Sequence, residues 1–436
     1  MIPWYSNPDQ QTLTQLLRRP VKEQLQLQRD VRSIIDSVSR KGDQALYEYA
    51  ERFDNIKLTE LVVAPDEIGR AGEQLTEELR CAIERAKENI SSFHSAQMPE
   101  PERIETEPGV VCWRQIRPIE HVGIYIPGGT APLFSTVLML AVPASIAGCS
   151  QIVLVTPAGS DGSVHPAILY AAKISGVTRV VTSGGAQAIA ALALGTESVP
   201  KVDKIFGPGN QYVTMAKQLV SVDLVAIDMP AGPSEVLVIA DEHADPDLVA
   251  ADLLSQAEHG SDSQAILLTT SERIAQEVQS QVGIQLDRLP RRMLAVQSLA
   301  HSAIIVLEDL ERAFETSNRY APEHLIVHVR DPERYVPLIR NAGSVFIGPW
   351  TPESAGDYAS GTNHTLPTSG WAAAYSGVSL DSYLKKITFQ RISAPGLERL
   401  GPTIQVMAAA EGLDAHKEAV TLRLHKIADD KESGRS

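Results

Sequence analysis

The sequence predicts an α/β protein made of two successive β/α series with mainly parallel sheets, extended by helical segments at both ends. Three observations carry this. Short Val/Ile/Leu-rich runs alternate with stretches of helical spacing from Val122 to Ile227, and the alternation resumes from Val236 to Ile347. Gly and Pro punctuate the junctions. With 436 residues, 43% of them apolar and 21% charged, the chain can bury a large core.

Composition also narrows the partners. A net charge of −15 makes nucleic acid and anionic membranes poor partners for the chain as a whole, although a local basic patch stays open. Cys81, Cys112 and Cys149 are too scattered for a disulfide framework and fit a reducing, cytoplasmic setting. Residues 1–11 lack the basic and apolar regions of a signal peptide. The apolar run Val137 to Gly148 contains Pro143 and is too short to span a membrane.

Taken in order, the chain starts with a polar arm in which Leu13, Leu16 and Leu17 suggest a short helix. Helical spacing follows over Val21 to Phe53 and Pro65 to Phe93, and Pro99, Pro101 and Pro108 mark an extended connector. Strands are expected at Val110 to Trp113, Val122 to Ile126, Gln151 to Val155, Thr178 to Val181, Val202 to Phe206 and Leu224 to Ile227. Helices are expected between them at Ser135 to Ile146, Pro166 to Ser175, Ala186 to Leu194 and Gln211 to Val220. The second series has strands at Val236 to Ile239, Gln264 to Leu268, Ala303 to Leu307, Leu325 to Val329 and Ser344 to Ile347. Its helices are Pro246 to Glu258, with Asp245 as N-cap, Glu272 to Val282, Leu310 to Arg319 and Pro332 to Asn341. Residues 349–376 show no period and read as a long functional loop. A strand at Ser382 to Thr388, a helix from Pro402 to Glu411 stopped by Gly412, and a last helix N-capped by Asp414 complete the chain, with a frayed tail from Asp429.

Pro322-Glu323-His324-Leu325 places a carboxylate beside an imidazole in an apolar, Pro-marked turn. Two adjacent groups that can titrate near neutrality suit a reaction removing several protons in turn; a surface Glu-His pair is the plainer reading. Gln256 and His259, three apart at a helix end, share one face and could form half of a metal site; a helix C-cap is the alternative. Asp357 and His364 lie in the irregular loop, where an Asx-turn and a solvated polar residue are the plainer readings. His416, in a first helical turn, is mismatched when protonated, so a neutral ligating form is conceivable. No Gly-x-Gly-x-x-Gly follows a strand; Pro127-Gly128-Gly129, Gly184-Gly185-Ala186-Gln187 and Phe206-Gly207-Pro208-Gly209-Asn210 are instead three turns able to cradle phosphate, or simply to pack tightly.

These turns, with Val122-Gly123-Ile124-Tyr125-Ile126, Asp228-Met229-Pro230-Ala231-Gly232-Pro233-Ser234-Glu235, Leu254-Ser255-Gln256-Ala257-Glu258-His259-Gly260, Pro322-Glu323-His324-Leu325 and Ser354-Ala355-Gly356-Asp357-Tyr358, resemble the histidinol dehydrogenase family, in order, over residues 110–425. The resemblance implies two Rossmann-like α/β domains of aldehyde-dehydrogenase-like fold. It divides the chain into an arm (1–22), a first domain (23–122 with 236–378), an NAD-side domain (123–235) and a C-terminal dimerisation segment (379–436). It implies zinc held by Gln256, His259, Asp357 and His416, the last from the partner subunit of a homodimer. Ser234, His324, His364 and Glu411, together with the four zinc positions, are expected to meet the substrate, L-histidinol. Tyr125, Gln187 and Asn210 are expected to contact NAD, and Glu323 and His324 to do the catalysis. The implied activity is four-electron oxidation of L-histidinol to L-histidine through the aldehyde, with manganese or cobalt conceivable in zinc's place. The loop Ser369 to Ser376, with Trp371 and Tyr375, is less typical of the family. A paralogue acting on another metabolite, a zinc hydrolase and a non-enzymatic zinc-dependent dimer are the rival readings.

Overall fold

The computed structural model describes residues 2–19, 24–128, 131–230 and 232–434, the side chain of Gln24 excepted. Gly129, Thr130, Ala231, the stretch 20–23 and the last two residues therefore lie outside the described residues, as do the parts of the expected turns and arm that fall on them. Two compact units are formed, residues 1–97 with 119–383 and residues 98–118 with 384–436.

The larger unit contains two parallel sheets. One has the strand order Trp4–Ser6, Ala303–Val306, Gln264–Thr269, Glu235–Ala240, His324–His328, Ser344–Ile347. Along Glu235–Ala240, Val236, Val238 and Ala240 enter one core, and Leu237 and Ile239 enter another on the opposite face. Alternating side chains thus meet apolar cover on both faces, which is why these strands read as continuous apolar runs. The helix Pro246–Ala257 supplies Val249, Ala250 and Leu253 to the first core, and its N-cap Asp245 accepts from the Asp247 N–H at 2.9 Å.

The second sheet runs Arg179–Thr182, Gln151–Thr156, His121–Tyr125, Lys204–Phe206, Ala226–Ile227. From its central strand, His121–Tyr125, the chain steps outward to one flank and then returns to start the other. That reversal creates a switch point between the carboxyl ends of His121–Tyr125 and Lys204–Phe206, the usual crevice for a nucleotide in such sheets. The helix Gln24–Lys41 packs Val31, Ile34 and Val38 into the core shared with Ala188, Ile189 and Val213. Helices from the first hundred residues, grouped by sequence with residues 236–378, here cover this five-stranded sheet, because its outer face needs an apolar stripe at helical spacing.

Gly207, which follows the strand Lys204–Phe206, has φ +125°, and a Cβ there would lie 2.2 Å from the Tyr125 carbonyl oxygen. Only glycine fits so close a backbone approach. The turn is tied down by a buried ion pair. Lys217 Nζ lies 2.5 Å from Asp228 Oδ1 and donates to the Gly207 carbonyl at 2.8 Å, while the Gly207 N–H donates to Asp228 Oδ2 at 2.8 Å.

The smaller unit is an antiparallel sheet, Leu384–Ile392, Val110–Pro118, Arg103–Glu107, with the helices Ala394–Ala410 and Asp414–Glu432. Trp113 stacks on Phe389 with ring centroids 5.6 Å apart. Val406, Met407, Leu413 and Leu422 remain exposed on its helices.

Several expectations are corrected. Trp4–Ser6 is a strand, not part of a helical arm, because it pairs with Ile304–Val306 at a sheet edge. Pro65 to Phe93 is not one helix; Pro65–Arg70 and Glu77–Ser95 are separated by a 3₁₀ turn and a new N-cap at Thr76. The Pro-marked connector contains the strand Arg103–Glu107. Helix Arg292–Leu299 was not expected. Pro332–Leu338 is 3₁₀, with Pro337 inside it removing a helical donor. The aperiodic stretch holds a helix, Glu353–Tyr358, and the expected strand at 382–388 is Leu384–Ile392. The last helix is capped by Leu413, with Asp414 its first residue, and continues to Glu432 instead of fraying from Asp429.

Lys217→Met should lower stability by about 3–5 kcal/mol, because it strands a buried carboxylate. A urea titration followed by circular dichroism checks this; an unchanged midpoint would show that the pair does not hold the turn.

Candidate active site

Glu323 and His324 stand at the amino end of a buried strand. The helix Leu310–Tyr320 stops at Ala321, whose left-handed backbone (φ 51°, ψ 67°) costs a non-glycine residue about 1–2 kcal/mol. Pro322 then prevents helix continuation, and the strand His324–His328 begins in register with Val236 on one side and Ser344 on the other. Both side chains are buried.

The backbone of one residue, Glu235, holds the pair. The Glu235 N–H donates to Glu323 Oε2 at 2.9 Å, and His324 Nδ1 lies 3.2 Å from the Glu235 carbonyl oxygen. A carbonyl only accepts, so Nδ1 carries the proton and Nε2 presents a lone pair. Nε2 is buried without a hydrogen-bond partner among the described residues and lies 3.8 Å from Asp357 Oδ1. Burial lowers the His324 pKa to about 3, opposed by the Glu235 carbonyl and aided by His259 and His364. The ring is therefore neutral and basic in form at neutral pH. Burial pushes the Glu323 carboxyl well above its ordinary range; the Glu235 N–H pulls it down, and the Glu235 and Asp357 carboxylates push it further up.

Beside this pair lies a set of ligand-type atoms. Nitrogen or oxygen atoms of His259, Glu353 and Asp357 lie within 4.8 Å of one another. Glu353 has 1% of its surface exposed, and neither of its oxygens has a hydrogen-bond donor among the described residues. Gln256 is fully buried, and both its amide atoms are likewise unpartnered. Burial raises the Asp357 carboxyl to about 7, and it raises Glu353 well above the carboxylate range, with Asp357, Glu323 and Asp252 adding to the effect. His259 is held below its ordinary value, first by desolvation. A buried carboxylate without donors at Glu353, a second carboxylate at Asp357, a neutral imidazole and an orphaned amide fit an N/O-ligated divalent cation, which would reverse the repulsion.

His364 Nδ1 lies 2.9 Å from the Asp357 carbonyl oxygen and Nε2 lies 3.1 Å from Thr136 Oγ1, at the start of the helix Phe134–Ala147. It thus joins the cluster to the five-stranded sheet's first helix. Burial lowers its pKa to about 4. Ser234, half-buried, directly precedes Glu235.

Tyr125, at the end of the central strand, meets two of the Gly-rich turns, at Gly185 and at Gly207. The Tyr125 hydroxyl accepts from the Gly185 N–H at 3.1 Å, and burial raises its pKa to about 12. Gln187, in the first turn of the helix Gly185–Leu194, is buried with an unpartnered Oε1. The N-cap Gly184 offers no side chain, so beyond the Gly185 N–H, which Tyr125 takes, the first turn of that helix is open to an anion. Asn210 caps the next helix, Gln211–Val220, accepting from the N–H groups of Tyr212 and Val213 at 3.0 and 3.1 Å.

His416 and Glu411 belong to the smaller unit, where both are exposed. Asp357 sits on a helix, not in an Asx-turn, and His259 lies two residues past the end of its helix. Sequence reasoning missed Glu353. Its spacing of four from Asp357 puts both on one helical face, but that signal exists only once Glu353–Tyr358 is known to be a helix.

The family model described as histidinol dehydrogenase matches residues 17–424. Histidinol dehydrogenase of Bacteroides fragilis is 59% identical over 420 residues, covering 96% of this chain and 98% of that protein. The Vibrio parahaemolyticus enzyme of the same name is 53% identical, covering 97% and 98% of the two chains. The crystal structure of histidinol dehydrogenase from Elizabethkingia anophelis superposes with a TM-score of 0.95 at 53% identity, covering 98% of this chain and 99% of that one.

Glu353→Gln should weaken binding of a divalent cation on the order of 10- to 100-fold while leaving the metal-free melting temperature near that of the parent, since Gln mimics the protonated carboxyl. Competition with a chromophoric chelator measures the first and a thermal melt the second.

Proposed function

Because the chain belongs to the histidinol dehydrogenase family, and is therefore an NAD-dependent oxidoreductase, we propose that it oxidises L-histidinol to L-histidine in two successive steps, with Glu323 and His324 carrying the protons. The single observation that carries this reading is that the Glu235 N–H and carbonyl bind Glu323 and His324, which leaves His324 Nε2 as a buried free base and puts Glu323 beside it.

His324 Nε2 accepts the hydroxyl proton while a hydride leaves the carbinol carbon for NAD, and the carbon becomes an aldehyde. Glu323 then takes a proton from the water that adds to the aldehyde carbon, while His324 returns its proton to the aldehyde oxygen and is again a free base. His324 accepts a proton from the resulting hydrate as a second hydride leaves for a second NAD, and the acid formed loses its proton to become the carboxylate. A buried, raised carboxyl is a stronger base than an exposed one, which suits the water-activating step. Tyr125, Gln187 and Asn210, gathered at the switch point, support a nucleotide site there.

Gln256, His259 and Asp357 would hold zinc together with His416 from the partner subunit of a homodimer. Zinc, when bound, supplies Lewis acidity and orientation and takes no part in the redox change. Ser234, His364 and Glu411 would contact the substrate. The apolar side chains exposed on the smaller unit support the homodimer. Three unpaired cysteines suit a reducing cytoplasm, and among the described residues no helix is long and apolar enough to cross a membrane.

Purified protein, loaded with zinc and given limiting L-histidinol and excess NAD, should yield two NADH per histidinol; no NADH at all would overturn the reading. Glu323→Gln should cut this yield to one and slow aldehyde oxidation on the order of 10²- to 10⁴-fold. Equal loss in both steps would refute the division of labour. Zinc affinity should rise with pH through the region of 7, because Asp357, raised to about 7 without metal, must lose its proton to bind. Proton release on zinc addition, read by an indicator dye at pH 7, tests the sign.

A further inference from the structure

Arg19 has no part in the chemistry proposed above, yet it is anchored beneath the catalytic pair. Its Nε donates to Glu235 Oε2 at 2.6 Å and its Nη2 to Glu235 Oε1 at 2.9 Å, a two-point clamp on a carboxylate that is 3% exposed. Nη2 also donates to the Tyr320 carbonyl oxygen at 2.7 Å, and the guanidinium lies 3.9 Å from the Tyr320 ring centre. Such planar, forked and stacked contacts are what Arg provides and Lys cannot.

The consequence lies in the backbone. On the flank facing His324–His328, the strand ladder begins only at Val236, opposite His324. Ahead of that first rung, the Glu235 N–H and carbonyl are taken up by the Glu323 carboxylate and the His324 imidazole. Tyr320, the other anchor point, immediately precedes the Ala321-Pro322 turn that delivers Glu323. One guanidinium therefore grips both sides of the junction on which the pair depends. The Tyr320 hydroxyl, 3.2 Å from Glu235 Oε2 and 2.8 Å from Gln264 Oε1, braces the same carboxylate.

We propose that Arg19 is a positioning residue, which by clamping Glu235 and Tyr320 fixes the Glu235 backbone that orients Glu323 and His324. This rests on the assignment of Glu323 and His324 as proton carriers. Removing the guanidinium leaves Glu235 buried without its counter-charge, and the first residue of the strand can tilt to solvate it. The pair then loses its alignment although each side chain is intact.

The test uses the full-length, zinc-loaded protein as parent, Arg19→Ala and Arg19→Lys. In Arg19→Ala, kcat with L-histidinol should fall on the order of 10- to 100-fold, with the KM for histidinol and the zinc content unchanged. Millimolar guanidinium should restore much of the loss, while methylammonium should not. Arg19→Lys should recover only part, since an ammonium makes a single-point contact. A ¹⁵N NMR spectrum of the His324 ring, which needs no substrate, should show the Nδ1–H tautomer in the parent and its loss in Arg19→Ala. Full kcat per zinc-loaded site in Arg19→Ala, or activity lost only in proportion to zinc, would overturn the clamp. An unchanged His324 spectrum would do the same. A parent that makes no NADH but shows the ring change would instead refute the catalytic assignment and leave the clamp standing.

Discussion

The register between the strands Glu235–Ala240 and His324–His328 is the constraint on which the site depends. Pairing of His324 with Val236 leaves Glu235 one residue ahead of the first pair on that flank, with its N–H and carbonyl facing the incoming turn. A buried N–H and C=O must find partners. Here they meet a carboxylate and an imidazole, so satisfying the start of the strand and orienting Glu323 and His324 have one solution. A slip of one residue would turn every side chain of the strand to the other face and abolish both.

Charge explains the rest of the cluster. Glu323, Glu353 and Asp357 are pushed toward protonation chiefly by burial. His324, His364 and His259 are pushed toward neutrality by the same cause. The folded chain thus holds carboxyl groups ready to release protons and, at His324 Nε2, a buried imidazole lone pair without a partner among the described residues. Arg19 offsets only Glu235, the member furthest from Glu353 and Asp357 in role, since its carboxylate serves the scaffold and its peptide serves the site. Neutralising the scaffold's carboxylate while leaving the site's uncompensated is the arrangement expected where a cation is to be recruited.

Legibility in the sequence followed the range of the interactions. Strands buried on both faces, such as Gln151–Thr156 and Gln264–Thr269, announce themselves by apolar runs, and Asp245-Pro246 marks its helix start by local capping chemistry. Trp4–Ser6 is a strand only because Ile304–Val306 offers an edge some three hundred residues away, and no local period signals that. The helix Glu353–Tyr358 contains a glycine and follows a proline, so it reads as loop; Gly356 is there because the Phe346 ring packs where a Cβ would sit, 2.8 Å away. Missing that helix hid Glu353. The motifs Pro322-Glu323-His324 and Gln256-x-x-His259 were legible as chemistry, but their convergence was not, since it is made by sheet order. Arg19 was invisible for the same reason.

Sheet order also separates the Gly-rich turns from the Glu323-His324 pair. The Gly-rich turns lie at the carboxyl ends of the five-stranded sheet, where reversal of strand order opens a crevice. Glu323 and His324 lie at the amino end of a strand in the six-stranded sheet, where that rule predicts no site. Fold-level expectation therefore points to the switch point and overlooks the buried Glu323-His324 pair. What brings them together is specific: the Asn363 side-chain amide donates to the Met139 carbonyl at 2.6 Å, and His364 spans from the Asp357 carbonyl to Thr136. Two residues of the loop after the Asp357 helix thus tie the ligand-type cluster to the helix that leaves the central strand of the five-stranded sheet. The placement of the Glu323-His324 pair relative to the switch point is set by that tie, a property of the junction more than of either sheet.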